Sequence, residues 1–161
     1  MKSRLIIAVM YSDKDIYGEC KKDLIELFGE VSKESDEYDF DKFTSYYEKE
    51  MGKRLVKRFI VFRKDVEKKE LSDVKLKTTD IEKKYAKDEK RTINLDPGYL
   101  NESELVLASF KRGTNYKEQI SDKVWLHKVL EFKGKEAITF WHTFPDYREK
   151  KNQEWFFDNI E

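Results

Sequence analysis

The chain has 161 residues, of which 41% are charged, 39% hydrophobic and 14% aromatic, and its 33 basic side chains balance 33 acidic ones. A disordered polyampholyte would contain few aromatic residues, so this composition indicates a packed core beneath a charged surface. A net charge of zero argues against a general nucleic-acid or anionic-membrane binder. The length predicts one domain spanning residues 1–161.

Cysteine usage and hydropathy narrow the class of protein further. Cys20 is the only cysteine, which excludes an intramolecular disulfide and a cysteine-based zinc site. No apolar run reaches the ~20 residues that a membrane-spanning helix needs. The apolar stretch at residues 5–10 is too short for a signal peptide, and no small-x-small cleavage pattern follows it. We therefore expect a soluble, cytoplasmic protein.

The first half of the chain alternates between strand and helix patterns. Residues 5–10 are continuously apolar, which is typical of a strand buried on both faces. A helix follows, with its N-cap within residues 12–15 and its end at Gly29. Residues 55–62 predict a central strand. A helix of about twenty residues, capped by Asp65 and apolar along one stripe, should come next.

A group of aromatic residues lies between these elements. It comprises Tyr38, Phe40, Phe43, Tyr46 and Tyr47. The favoured interpretation is that the rings cover one end of the core. The alternative is an exposed surface on which a base or another ring stacks.

The second half reads mostly as strands. Residues 91–95 predict a strand that ends in an Asp96-Pro97-Gly98 turn, because Pro97 fixes φ and Gly98 permits a positive φ. Residues 103–110 fit either a short helix or a strand. Residues 124–141 predict a hairpin turning at Lys133-Gly134, and residues 150–160 a closing helix. This order predicts an α+β fold: a single-domain, ferredoxin-like βαββαβ sandwich extended by a C-terminal β-hairpin and the closing helix.

Several common catalytic motifs are missing from the sequence. The six glycines are too far apart for a dinucleotide-binding fingerprint, and none precedes a Lys-Ser or Lys-Thr pair as in a Walker phosphate loop. His127 and His142 are the only histidines, and both lie in predicted strands with nothing to mark them as bases. We predict no metal site, and the sequence names no cofactor.

Five blocks resemble an uncharacterised prokaryotic family known as domain of unknown function 4416. Residues 43–52 resemble its T-x-Y-Y-x-x-E-M-G block, and residues 55–62 its basic-aromatic strand. Residues 71–82 are similar to its L-x-x-I-K-x-x-T-x-x-I-E helix. Residues 91–100, which read RTINLDPGYL, resemble its R-x-x-N-L-D-P-G-Y-L signature. Residues 144–147 are similar to its Y-P-D-Y ending.

The resemblance implies a location for a site but no activity, because the family has none established. It implies that the 91–100 signature is the best candidate for the functional site. The chain also departs from the family pattern. Tyr116-Lys117 stands where the family usually has a His-Arg pair, and His127 stands where it has a glutamate.

These observations predict a site for a small phosphorylated or nucleotide-like ligand at the end of the 91–95 strand. The candidate ligand-binding residues are Asn94, Asp96, Tyr99, Glu48, Glu50, Lys57, Lys111 and Lys117. Carboxylates beside lysines suit a divalent cation with phosphate, or acid–base chemistry. The opposing interpretation is that Asn94 and Asp96 bond only to their own turn.

Two other functions remain open at this point. One is a non-enzymatic interaction or assembly module, with a partner surface on residues 40–47 or on the closing helix. The other is RNA binding through stacked aromatics on the sheet, which the neutral charge makes the least favoured of the three.

Overall fold

The structure is a computed structural model, and it describes residues 2–160. Within these residues the chain forms nine strands and four α-helices. The strands are β1 (Arg4–Tyr11), β2 (Val31–Glu34), β3 (Tyr38–Asp39), β4 (Val56–Asp65), β5 (Ile93–Leu100), β6 (Glu104–Ser109), β7 (Glu118–Gln119), β8 (Trp125–Lys133) and β9 (Glu136–Ile138). The helices are α1 (Lys14–Phe28), α2 (Glu48–Met51), α3 (Leu71–Tyr85) and α4 (Lys150–Asp158). Short 3-10 turns precede α3 and α4, at Lys68–Glu70 and Pro145–Arg148.

All nine strands belong to one sheet in which every pairing is antiparallel. The strand order is β2-β4-β1-β5-β6-β8-β7, with β3 added to β4 and β9 added to β8. The prediction of a mixed α and β fold is therefore confirmed. Of the helices in the described residues, none is long and apolar enough to cross a membrane.

The centre of the sheet is β1, whose residues from Leu5 to Tyr11 are all buried. Its alternate side chains face two different layers, as the period of a strand requires. Leu5, Ile7 and Val9 pack with α1 and α3, and we call this side the helix face. Ile6 and Ala8 pack with α4 and the 3-10 turn before it, and we call that side the C-terminal face.

The first helix follows its sequence signals closely. Asp13 is the N-cap, and its carboxylate accepts the backbone amides of Asp15 at 2.8 Å and Ile16 at 3.3 Å. Gly29 ends the helix with a φ of 92°, a conformation that glycine adopts without strain. Both predicted boundaries of this helix are confirmed.

The aromatic residues near α2 mostly cover the core. Phe40 is buried with Met10, Met51 and Leu55, and Tyr38, Phe43 and Tyr47 pack partly buried against this group. Tyr46 alone among the five rings projects into solvent, with 74% of its surface exposed. The favoured interpretation, a core cover, accounts for four of the five rings.

The predicted helix after β4 is wrong at its start. Asp65 is the last residue of β4, and the α-helix begins six residues later at Leu71. The apolar stripe is correct, with Leu71, Val74 and Ile81 buried. The stripe also carries Lys75 and Glu82, which are 9% and 7% exposed. Charged residues were expected only on the solvent side of this helix.

The predicted Asp96-Pro97-Gly98 turn is wrong. The strand β5 runs straight through these residues, and they pair with Ala8, Ile7 and Ile6 of β1. Gly98 has no positive φ. Its role is close packing, because a Cβ atom there would lie 1.9 Å from the backbone oxygen of Val106 in β6. The dipeptide Pro-Gly therefore marks a close approach between strands rather than a reversal of the chain.

The remaining predictions concern the C-terminal half. Residues 104–109 form a strand, which decides between the two alternatives left open for that segment. The hairpin is confirmed, with Lys133 paired to Glu136 across Gly134, although β9 is shorter than predicted and ends at Ile138. The closing helix is confirmed and buries Phe156 against the C-terminal face.

Candidate functional site

One edge of β5 is open in the middle of the sheet. β5 pairs with β1 along its whole length, but it pairs with β6 only from Gly98 to Leu100. No strand of the described residues pairs with residues 93–97 on that side. Proline is well suited to position 97, because it has no backbone N–H that would be left unpaired at this open edge. The amide of Leu95 is satisfied by a side chain instead: it donates to the Glu82 carboxylate at 2.7 Å.

Glu82 reaches this edge from α3. It is 7% exposed, and burial raises the pKa of its carboxyl to about 7, while the Leu95 amide and the charge of Lys75 act in the opposite direction. Its titration thus falls near neutral pH, where the group can both accept and donate a proton. Arg91 stands at its far side, with Nη1 3.9 Å from Oε2 of Glu82.

Arg91 is fixed by a bidentate pair with Glu50 of α2. Its Nε and Nη2 lie 2.7 Å and 2.9 Å from the two carboxylate oxygens of Glu50. This pairing lowers the pKa of the Glu50 carboxyl. Arg91 also donates from Nη1 to the side-chain oxygen of Asn94 at 2.7 Å, and the Asn94 amide donates to Asp96 at 3.0 Å. A chain of hydrogen bonds therefore runs from α2 to the middle of β5.

Asp96 and Lys75 face each other at the end of this chain. Their charged atoms are 4.0 Å apart, which is longer than a hydrogen bond. The Asp96 side chain is 35% exposed and that of Lys75 is 11% exposed. The Lys75 ammonium also lies 5.4 Å from the centre of the Phe110 ring. Among the described residues no hydrogen bond joins the two groups, so both retain hydrogen-bonding capacity.

Tyr147 lies on the C-terminal face, where its ring packs against Phe59 and Phe156. Its side chain is buried, and its hydroxyl makes no hydrogen bond to any described residue. Burial first, and then the charges of Asp146 and Asp96, raise the pKa of this phenol well above its usual range. A buried hydroxyl without a partner is rare in proteins and needs a hydrogen-bonding group from outside the chain or from water.

We call this group of side chains the Asp96 cluster. Its members are Glu50, Lys75, Glu82, Arg91, Asn94, Asp96 and Tyr147. Lys75 and Glu82 come from the helix face and Tyr147 from the C-terminal face. They meet because β6 leaves this edge of β5 uncovered. Within residues 2–160, no group of three or more His, Cys, Asp or Glu side chains is arranged to hold a metal ion.

Three of the residues predicted for the site belong to the Asp96 cluster: Asn94, Asp96 and Glu50. The structure places the other five elsewhere. Glu48 is partly exposed at the start of α2 and pairs with Lys53 at 3.4 Å. Lys111 is exposed in the loop after β6, where its backbone oxygen lies 2.8 Å from Nε2 of His127.

Tyr99 and Lys117 lie together in a second polar group, on the helix face. Tyr99 donates to Glu104, and Lys117 lies 3.1 Å from the Tyr99 hydroxyl and also bonds to Glu104. Lys128 approaches the other oxygen of Glu104 at 3.2 Å. Every member of this group has a partner, so its geometry indicates a link between β5, β6 and β8.

Lys57 lies on the C-terminal face in a closed arrangement. Its ammonium is 2.7 Å from Asp146, and the two side chains are 7% and 2% exposed. Tyr38 donates to the same carboxylate oxygen at 2.7 Å. The Tyr147 ring covers the ammonium at 4.5 Å. This Lys57–Asp146 pair is sealed from solvent and joins the 3-10 turn before α4 to the sheet.

Four members of the cluster were not among the predicted site residues: Lys75, Glu82, Arg91 and Tyr147. For α3 a signal was present in the sequence. Lys75 is four positions after Leu71, and Glu82 is four positions after Thr78, so both lie beside the apolar stripe. Charged residues next to a stripe are candidates for burial. No comparable spacing marks Tyr147.

The fold and this cluster define the class of protein: a mixed α and β chain built on one antiparallel sheet, with a cluster of polar side chains beside two of its inner strands. The chain belongs to the family described as a domain of unknown function, DUF4416, whose model matches residues 1–160. No curated protein and no solved structure matches the chain significantly. The resemblance predicted from the sequence is therefore confirmed.

Proposed function

We propose that the Asp96 cluster binds a small phosphorylated, nucleotide-like ligand. The observation that carries the proposal is the separation of Lys75 and Asp96. A cation and a carboxylate are aimed at one partly exposed space, and neither closes on the other. Stabilising structural pairs usually come into hydrogen-bond contact, as Lys57 and Asp146 do at 2.7 Å.

The chemistry on the two sides of this space fits such a ligand. On one side, Lys75 is a point charge suited to a phosphate oxygen. On the other, Asp96 accepts hydrogen bonds from hydroxyl or amine groups, which a ribose or a base supplies. The Tyr147 hydroxyl, which has no hydrogen-bond partner among the described residues, is a further candidate contact.

Four of the five stretches through which the chain resembles its family also supply cluster members. Residues 43–52 provide Glu50, residues 71–82 provide Lys75 and Glu82, residues 91–100 provide Arg91, Asn94 and Asp96, and residues 144–147 provide Tyr147. Their convergence at one opening supports a shared site. The position of Glu82, with a pKa of about 7, also makes acid–base processing of the ligand chemically feasible.

A ligand screen by thermal shift, followed by calorimetric titration, tests this proposal. The probes are inorganic phosphate, ribose 5-phosphate and the nucleoside monophosphates. We expect one of them to raise the Tm of the wild type, and Lys75→Met and Asp96→Asn to remove that shift. Matched controls are Lys77→Met and Asp73→Asn, since these residues form an exposed ion pair at 2.9 Å on the same helix. No response from any probe, or equal responses from cluster and control variants, would overturn the proposal.

The topology supports a finer description of the fold, which we propose here. Taken in order, β1, α1, β2, β4, α3 and β5 give a βαββαβ succession, and the four strands lie in the sheet as β2-β4-β1-β5. This arrangement fits a ferredoxin-like core. The strands β6 to β9 then extend the sheet beyond β5. We also propose a cytoplasmic location, on the cysteine content and hydropathy alone.

A further inference from the structure

The loop between β9 and α4 displays two large aromatic side chains in solvent. Trp141 is 79% exposed and Phe144 is 66% exposed. They are three positions apart in one turn, in which the Thr143 amide donates to the Phe140 oxygen at 3.0 Å. Neither side chain belongs to any of the buried clusters of the described residues.

This loop is held in place by buried and charged groups. The Thr143 hydroxyl donates to the Val129 oxygen at 2.9 Å and accepts the Phe140 amide at 2.9 Å. Arg148 donates to the backbone oxygens of both Thr143 and Phe140. The His142 ring stacks on Phe140 at 5.3 Å and its Nε2 lies 3.1 Å from the Lys128 oxygen. The two exposed rings are thus presented on a preorganised frame, which lowers the entropic cost of binding.

The residues that follow the two rings in sequence carry positive charge that no described carboxylate pairs. Arg148, Lys150 and Lys151 are all exposed. Within residues 2–160, no carboxylate lies within ion-pair distance of any of them, and the nearby Glu149 is already paired with Lys42 at 3.6 Å. Exposed tryptophan, phenylalanine and arginine together are typical of the centre of a protein interface.

We infer that this surface, made of Trp141, Phe144, Arg148, Lys150 and Lys151, binds an acidic segment of a partner protein. Apolar side chains of the segment cover the two rings, and its carboxylates pair with the three cations. The occupant is a protein segment rather than single-stranded nucleic acid because the described loop offers two rings on one turn and not a row of them along a basic groove.

The first experiment is a selection from a displayed random-peptide library on the full chain, with counter-selection against a Trp141→Ser/Phe144→Ser double variant. We expect enrichment of peptides that combine several Asp or Glu residues with apolar anchors. Peptides without an acidic bias would overturn the inference, and so would a failure to enrich any peptide over the double variant.

The second experiment measures the affinity of one enriched peptide by calorimetric titration. Trp141→Ser should weaken binding about tenfold or more. Lys150→Gln/Lys151→Gln should also weaken binding, and the affinity of this variant should depend less steeply on salt concentration than that of the wild type. Tyr46→Ser is the matched control, because Tyr46 is a 74% exposed ring that is not a member of the proposed surface. Equal affinities for Trp141→Ser and Tyr46→Ser would contradict the assignment.

Two further probes identify a different class of partner. Polyuridylate and vesicles of anionic phospholipid are titrated with the same variants. Binding of either one that depends on Trp141 and exceeds that of the peptide would overturn the inference in favour of a nucleic acid or a membrane. Unchanged melting of Trp141→Ser and Phe144→Ser confirms that these variants are folded.

Discussion

The Asp96 cluster and the Lys57–Asp146 pair each contain a lysine facing an aspartate. They differ in the distance between the charged atoms and in exposure to solvent. They lie near each other on the sheet, because Lys57 and Asn94 both stand opposite Met10, in the two strands that flank β1. The Tyr147 ring lies over Lys57, and the charge of Asp96 contributes to the raised pKa of the Tyr147 phenol. One lysine is 2.7 Å from its carboxylate and sealed, whereas the other is 4.0 Å away beside solvent. The difference separates a structural ion pair from a candidate site.

The largest expected effect on stability is at the buried Lys57–Asp146 pair. Asp146→Asn leaves the Lys57 ammonium buried without a counter-charge, which should lower the free energy of unfolding by about 3 to 5 kcal/mol. Urea unfolding monitored by circular dichroism measures it. The control is Glu149→Gln, an exposed partner of Lys42, for which we expect a change of about 1 kcal/mol or less. If both variants lost the same small amount, the pair would not be the closed structural element described here.

The second prediction concerns Gly98, the residue at which β5 begins to pair with β6. Gly98→Val places a Cβ atom 1.9 Å from the Val106 oxygen, so β6 must move away and the free energy of unfolding should fall by about 3 kcal/mol. The reason is steric and does not involve a positive φ. Gly18→Ala is the control, since nothing lies within 4 Å of its added Cβ and alanine favours a helix. Full stability in Gly98→Val would show that β5 and β6 do not approach closely.

The third prediction uses the pH dependence of stability. The pKa of Glu82 is about 7 in the folded chain against 4.5 when unperturbed. Between these values the folded state binds more protons, so the contribution of Glu82 to stability decreases as pH rises from 4.5 to 7. The decrease is on the order of 2 to 3 kcal/mol.

The variant that isolates this effect is Glu82→Gln, whose amide oxygen still accepts the Leu95 N–H. Urea midpoints across the pH range should fall less with rising pH in the variant than in the wild type. All other titrating groups cancel in the difference. Parallel curves for the two proteins would mean that Glu82 titrates normally and that the opening is wetter than its burial indicates.

The smallest effect on stability is expected at Asp96, which does not bond to Lys75. Asp96→Asn removes a charge that is 35% exposed and 4.0 Å from Lys75, so the free energy of unfolding should change by less than about 1 kcal/mol. The same substitution should abolish the ligand response proposed above. A loss comparable to that of Asp146→Asn would indicate that Asp96 is a structural residue like Asp146.

Local signals in the sequence were sufficient for the elements whose causes are local. The N-cap at Asp13 and the end at Gly29 follow from adjacent residues, and β1 follows from its continuous apolar run. The Pro97-Gly98 dipeptide gave the wrong result because its cause is not local. Its function depends on β6, which approaches Gly98 and departs before Pro97, and this is a property of strand pairing that residue types near 97 do not encode.

The same reasoning explains which members of the Asp96 cluster the sequence predicted. Asn94 and Asp96 were recognisable as polar residues within one unusual stretch. Lys75 and Glu82 belong to a helix that looked entirely solvated on its charged side, and their burial depends on the gap between β5 and β6. The burial of Lys57 against Asp146 was not predictable from neighbouring residues, because Asp146 lies 89 positions further along the chain.

The bond between Leu95 and Glu82 gives this sheet a titratable rung. In an ordinary ladder each amide is bonded to a neutral carbonyl, whose strength as an acceptor does not change with acidity. At Leu95 the acceptor is a carboxyl group with a pKa of about 7, so the strength of this single main-chain bond should vary with proton concentration. The amide resonance of Leu95 is accordingly a built-in spectroscopic probe: its chemical shift should follow the protonation of Glu82, and therefore any ligand that alters it.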